Sequence, residues 1–204
     1  KDKINFKKHI VNLEYKKNFL KIEGEGDFII KESDKIKYKI IKQREDIDFE
    51  SILVISNNIF KLDILGYQKK DKSNLKLSIK GKQDSNKNIS FKEVSLVESN
   101  NIINIKNLSI KNNNKVKSVE RINLDYIDNE NLKNKITISK KKNNYILEGE
   151  TFNGNKLIEN LLRSKSESKN FFNEKLKINI DIKNVNLDKV NIIKDLRGFL
   201  INFV

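Results

Sequence analysis

The chain has 204 residues, with 42 Lys and Arg against 28 Asp and Glu and a net charge of +14. It contains no Cys, Met, Trp, Pro or Ala, which excludes a disulfide framework and any thiolate metal centre; its one histidine, His9, excludes a site built on several imidazoles. Lys, Asn and Ile dominate and share A- and T-rich codons, so the charge reads as the imprint of an AT-rich genome on a solvated face rather than a nucleic-acid footprint.

Hydrophobic residues make up 37% of the chain and charged residues 34%, a balance that raises disorder as the first rival reading. That reading fails because the apolar residues are β-branched or aromatic and recur with a period of two. No apolar run approaches the roughly 18 residues needed to cross a bilayer as a helix.

In chain order, Ile4 to Leu13 forms a first strand whose alternation breaks near His9. Phe19 to Lys31 follows, with Gly24 and Gly26 on one face predicting a kink in a long strand. Ser33-Asp34 reads as a turn, after which Ile36, Tyr38 and Ile40 alternate with lysines until Gln43-Arg44-Glu45-Asp46 interrupts. Ile47, Phe49 and Ile52 to Ile55 make the next strand. Asn57-Asn58 then reads as a hairpin turn into Phe60, Leu62 and Ile64.

Leu75, Leu77 and Ile79 repeat the code. The pair Ile89 and Phe91 slips by one residue at Lys92-Glu93 to Val94 and Leu96, and Ile103 and Ile105 slip likewise to Leu108 and Ile110. A slip of one residue flips the apolar set to the other face unless a bulge absorbs it, so two bulges are expected there. Val119, Ile122, Leu124 and Tyr126, then Ile136 and Ile138, then Tyr145 and Leu147 continue the series.

One short helix is expected near residues 155–164, opened by Asn155 and carrying Leu157, Ile158, Leu161 and Leu162 as an apolar stripe that must dock on the sheet or its rim. A flexible loop over 164–173 follows, then a strand alternating Leu176, Ile178, Ile180 and Ile182. The last residues, LRGFLINFV, are strand-like. The chain opens on Lys1 rather than Met, so we expect one continuous segment, 1–204, of a longer protein.

About a dozen strands at this spacing predict an all-β fold of antiparallel hairpins. Clean alternation gives a sheet one apolar face, which a second sheet, barrel closure or lipid must cover. Long strands favour an elongated, curved antiparallel sheet forming an open groove, and the outward lysines discourage edge pairing.

The sequence holds no catalytic set, and we expect neither an enzyme nor a cofactor or metal site. Glu23, Glu25 and Asp27 lie on alternate strand positions that face solvent together, as do Asp181 and Asp188. No helix follows Gly24 or Gly26, so this is not a phosphate cradle. Aromatic residues such as Phe28, Tyr38, Phe60 and Phe91 fall on inward phases, and Lys140 to Lys142 read as a turn, which argues for no nucleic-acid partner.

From Leu147-Glu148-Gly149-Glu150 through Thr151-Phe152-Asn153 into the leucine stripe, and on to the alternating strand with Val185 and Leu187, the chain resembles the AsmA-like family of bacterial envelope proteins, in the C-terminal region of its YhdP-type and TamB-like members. The looser run from Ile22 to Leu132, including IEGEGDF, is similar to that family's degenerate strands. Asn153 and several lysines stand where the family has acidic or small residues.

The resemblance implies a bridge-like lipid-transfer segment that carries phospholipid between inner and outer membranes and supports outer-membrane biogenesis. The implied location is the periplasm, with membrane contact through an inner-membrane-anchored parent chain. Phospholipid acyl chains would be the partners, lined by Phe28, Ile30, Tyr38, Ile40, Phe60, Leu62, Ile64, Leu75, Leu77, Ile79, Leu96, Ile122, Leu124, Ile178 and Ile180. The alternative is a structural or adhesive β-repeat protein of the cell envelope, with a dry, closed core.

Overall fold

Alternation of apolar and polar residues becomes, in the computed structural model, one sheet with two chemically opposite faces. The structure describes residues 4–142, 144–155, 176–188 and 190–202. The strands are β1 (Asn5–Lys16), β2 (Phe19–Ile29), β3 (Ser33–Gln43), β4 (Asp46–Ile55), β5 (Lys61–Leu62), β6 (Tyr67–Gln68), β7 (Leu75–Gln83) and β8 (Ile89–Glu98). They continue as β9 (Asn101–Ile110), β10 (Val116–Ser118), β11 (Arg121–Ile127), β12 (Lys133–Lys141), β13 (Asn144–Asn153), β14 (Leu176–Asn186) and β15 (Ile192–Asn202).

Thirteen strands form a single sheet in the order β1-β2-β3-β4-β7-β8-β9-β11-β12-β13-β14-β15, with β10 added on β9; β5 and β6 pair apart as a small insert. The sheet is curved, mostly antiparallel and does not close on itself. Most strands pair with the next one in the chain through short turns; β4 passes over the β5–β6 insert to pair with β7, and β9 pairs with both β10 and β11. Several of these turns need a left-handed residue, and Asn18, Asn114 and Asn131 supply it at φ 62°, 63° and 63°.

Both expected slips are bulges. Lys80 pairs with Glu93 but Gly81 with Phe91, leaving Lys92 extra, and Asn107 at φ 49° takes up the slip in β9. The break near His9 is a third bulge, between Lys7 and Ile10 of β1.

Four expectations need correction. Asn57-Asn58 is not a hairpin turn. Asn58 is buried, its Oδ1 accepting the amides of Lys31 and Glu32 and its Nδ2 donating to the Glu32 carbonyl at 2.6 Å, so it ties the β2–β3 turn to the end of β4. The alternation of Phe60, Leu62 and Ile64 is not a strand of the sheet: two paired residues lead into a 3-10 turn, Asp63–Leu65, ended by Gly66 at φ 60°.

Ser33-Asp34 is not a turn but the start of β3. Gly24 and Gly26 do not kink β2, which runs unbroken. They are seats: a Cβ on Gly24 would collide with the Tyr38 ring lying across it, and one on Gly26 would lie 2.7 Å from the His9 Cα in the β1 bulge.

One junction departs from the hairpin rule. β14 runs parallel to β13, Tyr145 opposite Ile178 and Leu147 opposite Ile180. A parallel pair cannot be joined by a tight turn, because the chain must first return along the strand length. The expected helix near 155–164, its docking residues Leu157, Ile158, Leu161 and Leu162, and the 164–173 loop fall in this connection. Apart from Asn155, they lie outside the described residues.

Candidate functional site

Register turns the alternation into continuous apolar rows running across the strands. One row passes from Ile36 to Leu53, Leu77, Leu96, Ile103, Leu124 and Ile136, then by Gly149 to Ile182 and Leu196. A second joins Tyr38, Ser51, Ile79, Val94, Ile105, Ile122, Ile138, Leu147 and Ile180. A third begins with Ile22, Ile40 and Phe49, passes Gly81 to Phe91 and Leu108, and the Phe49 and Phe91 rings meet edge to face at 5.8 Å over that glycine. Ile178, beside Tyr145, continues the apolar face on β14. The second row is half-buried from Tyr38 to Ile180: its side chains shelter one another.

The opposite face is mainly ionic, with Ile52, Val54, Val97 and Ile102 set among its polar residues. Glu23, Lys39, Glu50, Lys80, Glu93 and Lys106 stand opposite one another on successive strands, so charge alternates in sign across β2, β3, β4, β7, β8 and β9. Further pairs flank this ladder: Lys37–Glu25 at 2.8 Å, Lys82–Asp46 at 2.7 Å, Lys135–Glu150 at 2.8 Å, and Lys35–Asp27. The acidic run Glu23, Glu25 and Asp27 is thus neutralised by lysines, and the hydrogen bonds from Lys21, Lys37 and Lys35 hold all three carboxyls below their usual range. A depression of about 540 Å³ on this face lies between Glu23, Lys37, Glu50 and Lys80, and Ile10 and Ile52 line it as well.

At one rim the apolar face is roofed by the β5–β6 insert. Tyr67 reaches down so that its ring meets Tyr126 edge to face at 5.9 Å. The Tyr126 hydroxyl donates to the Leu65 carbonyl at 2.8 Å, and the Asn129 amide donates to the Gly66 carbonyl at 2.8 Å. The insert thereby leaves β4, passes β7, β8 and β9 and reaches β11. Beneath it Phe28, Ile55, Leu75, Leu96, Ile103 and Leu124 form the driest part of the molecule.

Buried polar groups pin this roof. Glu98, 1% exposed, accepts from the Tyr67 hydroxyl at 2.6 Å, the Lys70 amide at 2.6 Å, Asn101 Nδ2 at 3.2 Å and the Ser73 hydroxyl. Burial opposes its charge, yet these four donors outweigh burial and hold its carboxyl below the usual range. Burial, and then the bond to Glu98, push the Tyr67 phenol far up. Lys69 Nζ, also buried, donates to the carbonyls of Ser56, Lys70 and Ser73.

Along the same rim Asp34 accepts the amides of Ser56, Asn57 and Asn58, while Asp128 and Asn134 bind Asn153. This rim is a polar seam. The apolar rows run alongside it, from strand to strand.

Of the residues expected to line a groove, Leu77, Leu96 and Leu124 lie in the first row, Tyr38, Ile79, Ile122 and Ile180 in the second, and Ile40 in the third, with Ile178 on β14 of the same face. Phe28 and Leu75 are on the same face but covered by the roof, and Phe60 and Leu62 belong to the roof itself. Two are not brought together with them. Ile64, 72% exposed, sits on the outer side of the 3-10 turn, and Ile30, 40% exposed, lies past the end of β2.

Sequence reasoning passed over Ile103, Ile105, Ile136, Ile138 and Leu147 as lining residues, although their alternation is the same signal. It had no signal for Tyr67, Glu98 or Lys69, whose roles depend on an insert folding back. His9 Nε2 lies 3.2 Å from the Tyr38 hydroxyl and the two rings stack at 5.6 Å, so the histidine packs at the sheet edge.

Among the described residues no group of His, Cys, Asp and Glu could hold a metal ion, and no helix is long and apolar enough to cross a membrane. No known protein family, curated protein or solved structure matches this chain.

Proposed function

We propose that the chain carries lipid along its apolar face, as a groove segment of an AsmA-like envelope protein in the periplasm. The observation that supports this is the continuity of the rows: the second runs through strands β3 to β14 without a charged side chain, and no second sheet lies over it among the described residues. The nine strands that the second row crosses, about 4.8 Å apart, make a path of roughly 40 Å, longer than the ~30 Å hydrocarbon thickness of a bilayer. An acyl chain lying there gains about 0.8 kcal/mol for each methylene removed from water. Because adjacent rungs of the row are chemically alike, the chain can slide without a large barrier, and no catalytic group is needed.

The ionic face fits the same reading, since it keeps the opposite side in water. A structural or adhesive protein with a dry core would cover its apolar face with a facing sheet, whereas all the long strands here belong to one sheet.

The test is extraction and mass spectrometry of the purified chain, with Ile105→Asp in the middle of the second row and Ser78→Asp on the ionic face as paired variants. Co-purified phospholipid in the parent chain and in Ser78→Asp, lost in a still-folded Ile105→Asp, is the expected result. Monodisperse protein free of lipid, in the presence of added phospholipid vesicles, would overturn the reading.

A further inference from the structure

Five glycines lie within strands among the described residues, and four of them are occupied seats. A Cβ on Gly24, Gly26, Gly81 or Gly149 would fall within 3 Å of a group on the adjacent strand: the Tyr38 ring, the His9 backbone, the Phe49 ring and the Ile136 side chain respectively. In this sheet a glycine marks where a bulky neighbour leans across the strand. Gly198 of β15 is the fifth, and among the described residues a Cβ there would meet nothing within 4 Å. It lies on the apolar face, opposite Ile180 on the inner side, and its outer side is an unpaired strand edge among the described residues.

Among the described residues the other unpaired edge is β1, and it carries what that seat lacks. Tyr15 is 75% exposed and Leu13 65%, both on the apolar face, opposite Leu20 and Ile22. The single parallel step at β13–β14 leaves β15 running in the same sense as β1, so a copy translated along the sheet sets the two side by side and parallel.

We propose that β15 of one copy takes β1 of a second copy as its next strand, with Tyr15 seated on Gly198. That register sets Leu13 beside Leu196 on the apolar face and Glu14 beside Arg197 on the ionic face. Asp181, which already meets Arg197 at 3.5 Å, and the incoming Glu14 then flank the guanidinium as acid, base, acid. Exposed Phe199 and Leu200 of β15 gain a neighbour as well. The contact is heterologous: it joins unlike edges, does not close, and extends the apolar rows from copy to copy. It does not depend on the rows carrying lipid.

The chain has no cysteine, so a directional test is available. Glu14→Cys and Arg197→Cys are made separately and treated with a short bis-maleimide alone and as an equimolar mixture. Linked dimers in the mixture, and not in either variant alone, are expected. Self-linking of either single variant in preference to the mixture would indicate twofold pairing of like edges and overturn the proposal, as would the absence of any linking at high protein concentration. Adding Gly198→Val to Arg197→Cys fills the seat and should cut linked product at least tenfold, while the melting temperature of the separated monomer holds. Undiminished linking in that variant would overturn the seating of Tyr15.

Discussion

The phenol of Tyr67 and the carboxylate of Glu98 meet at 2.6 Å, 31 residues apart, each about 1% exposed. This bond fastens the roof to the sheet, and Glu98 is its hub because three of its four donors, Tyr67, Lys70 and Ser73, come from the segment between β5 and β7. In Glu98→Gln the amide cannot accept from all of them, and buried donors go unmatched. The expected loss is roughly 2–4 kcal/mol in denaturant unfolding, with increased protease cleavage between β4 and β7. An unchanged midpoint would mean the roof is held by its apolar contacts alone.

Acid should act on the same seam. Glu98 and Asp34 are each buried, which opposes ionisation, but hydrogen bonds outweigh burial and hold both below their ordinary values of 4.5 and 3.8. A depressed carboxylate contributes stability that is fully present above its unfolded pKa and is lost as pH falls through the folded one. Melting temperature is therefore expected to vary little from roughly pH 7 to 5 and to fall below about 4.5, less steeply in Glu98→Gln. Thermal melts followed by circular dichroism across that range provide the check.

Leu75 has no exposed surface and lies under the roof between Ile55 and Glu98 in register. Leu75→Ala should cost about 2–5 kcal/mol, as deletions in close-packed cores do. Ile79→Ala, on the open second row, should cost less, because water or ligand reaches the space left behind. Equal losses at the two positions would mean that the open row is as tightly packed as the roofed one.

The ladder predicts a salt-dependent defect. Lys80→Glu places a third acid between Glu50 and Glu93, whereas Lys80→Gln removes attraction without adding repulsion. Lys80→Glu should melt lower than Lys80→Gln at low salt, and about 1 M salt should bring the two together. A gap that persists at high salt would point to packing rather than charge.

Gly26→Ala, Gly24→Ala and Gly198→Ala should rank in that order of damage. The first collides with backbone in the β1 bulge, the second with a side chain that can swing away, and the third with nothing. A clash relieved by movement costs typically 1–3 kcal/mol, so the first two should be measurable and the third close to neutral in the monomer.

Fold class was legible because every long strand keeps its period of two, and even the Lys92 and Asn107 bulges announce themselves as slips of phase. The roof was not. Phe60, Leu62 and Ile64 alternate as a strand would, and only the distant partners Tyr126 and Glu98 turn them into a hairpin folded over the face. The polar seam was hidden for another reason: Asn and Asp are so common in this chain that buried Asn58, Asn134 and Asn153 look no different from those in solvent-facing turns. The Gly24 and Gly26 seats were misread because a strand alone does not reveal that Tyr38 and His9 lean across it.

Because β-ladder contacts join each strand only to its immediate neighbours, the molecule is mechanically a row of links rather than a ball. Damage in such an array stays local, and fraying starts at the free margins. Hydrogen exchange should accordingly be zoned, slowest from β7 to β12 beneath the roof and fastest at β1 and β15. Unfolding should then spread over a wide range of denaturant instead of occurring in one step.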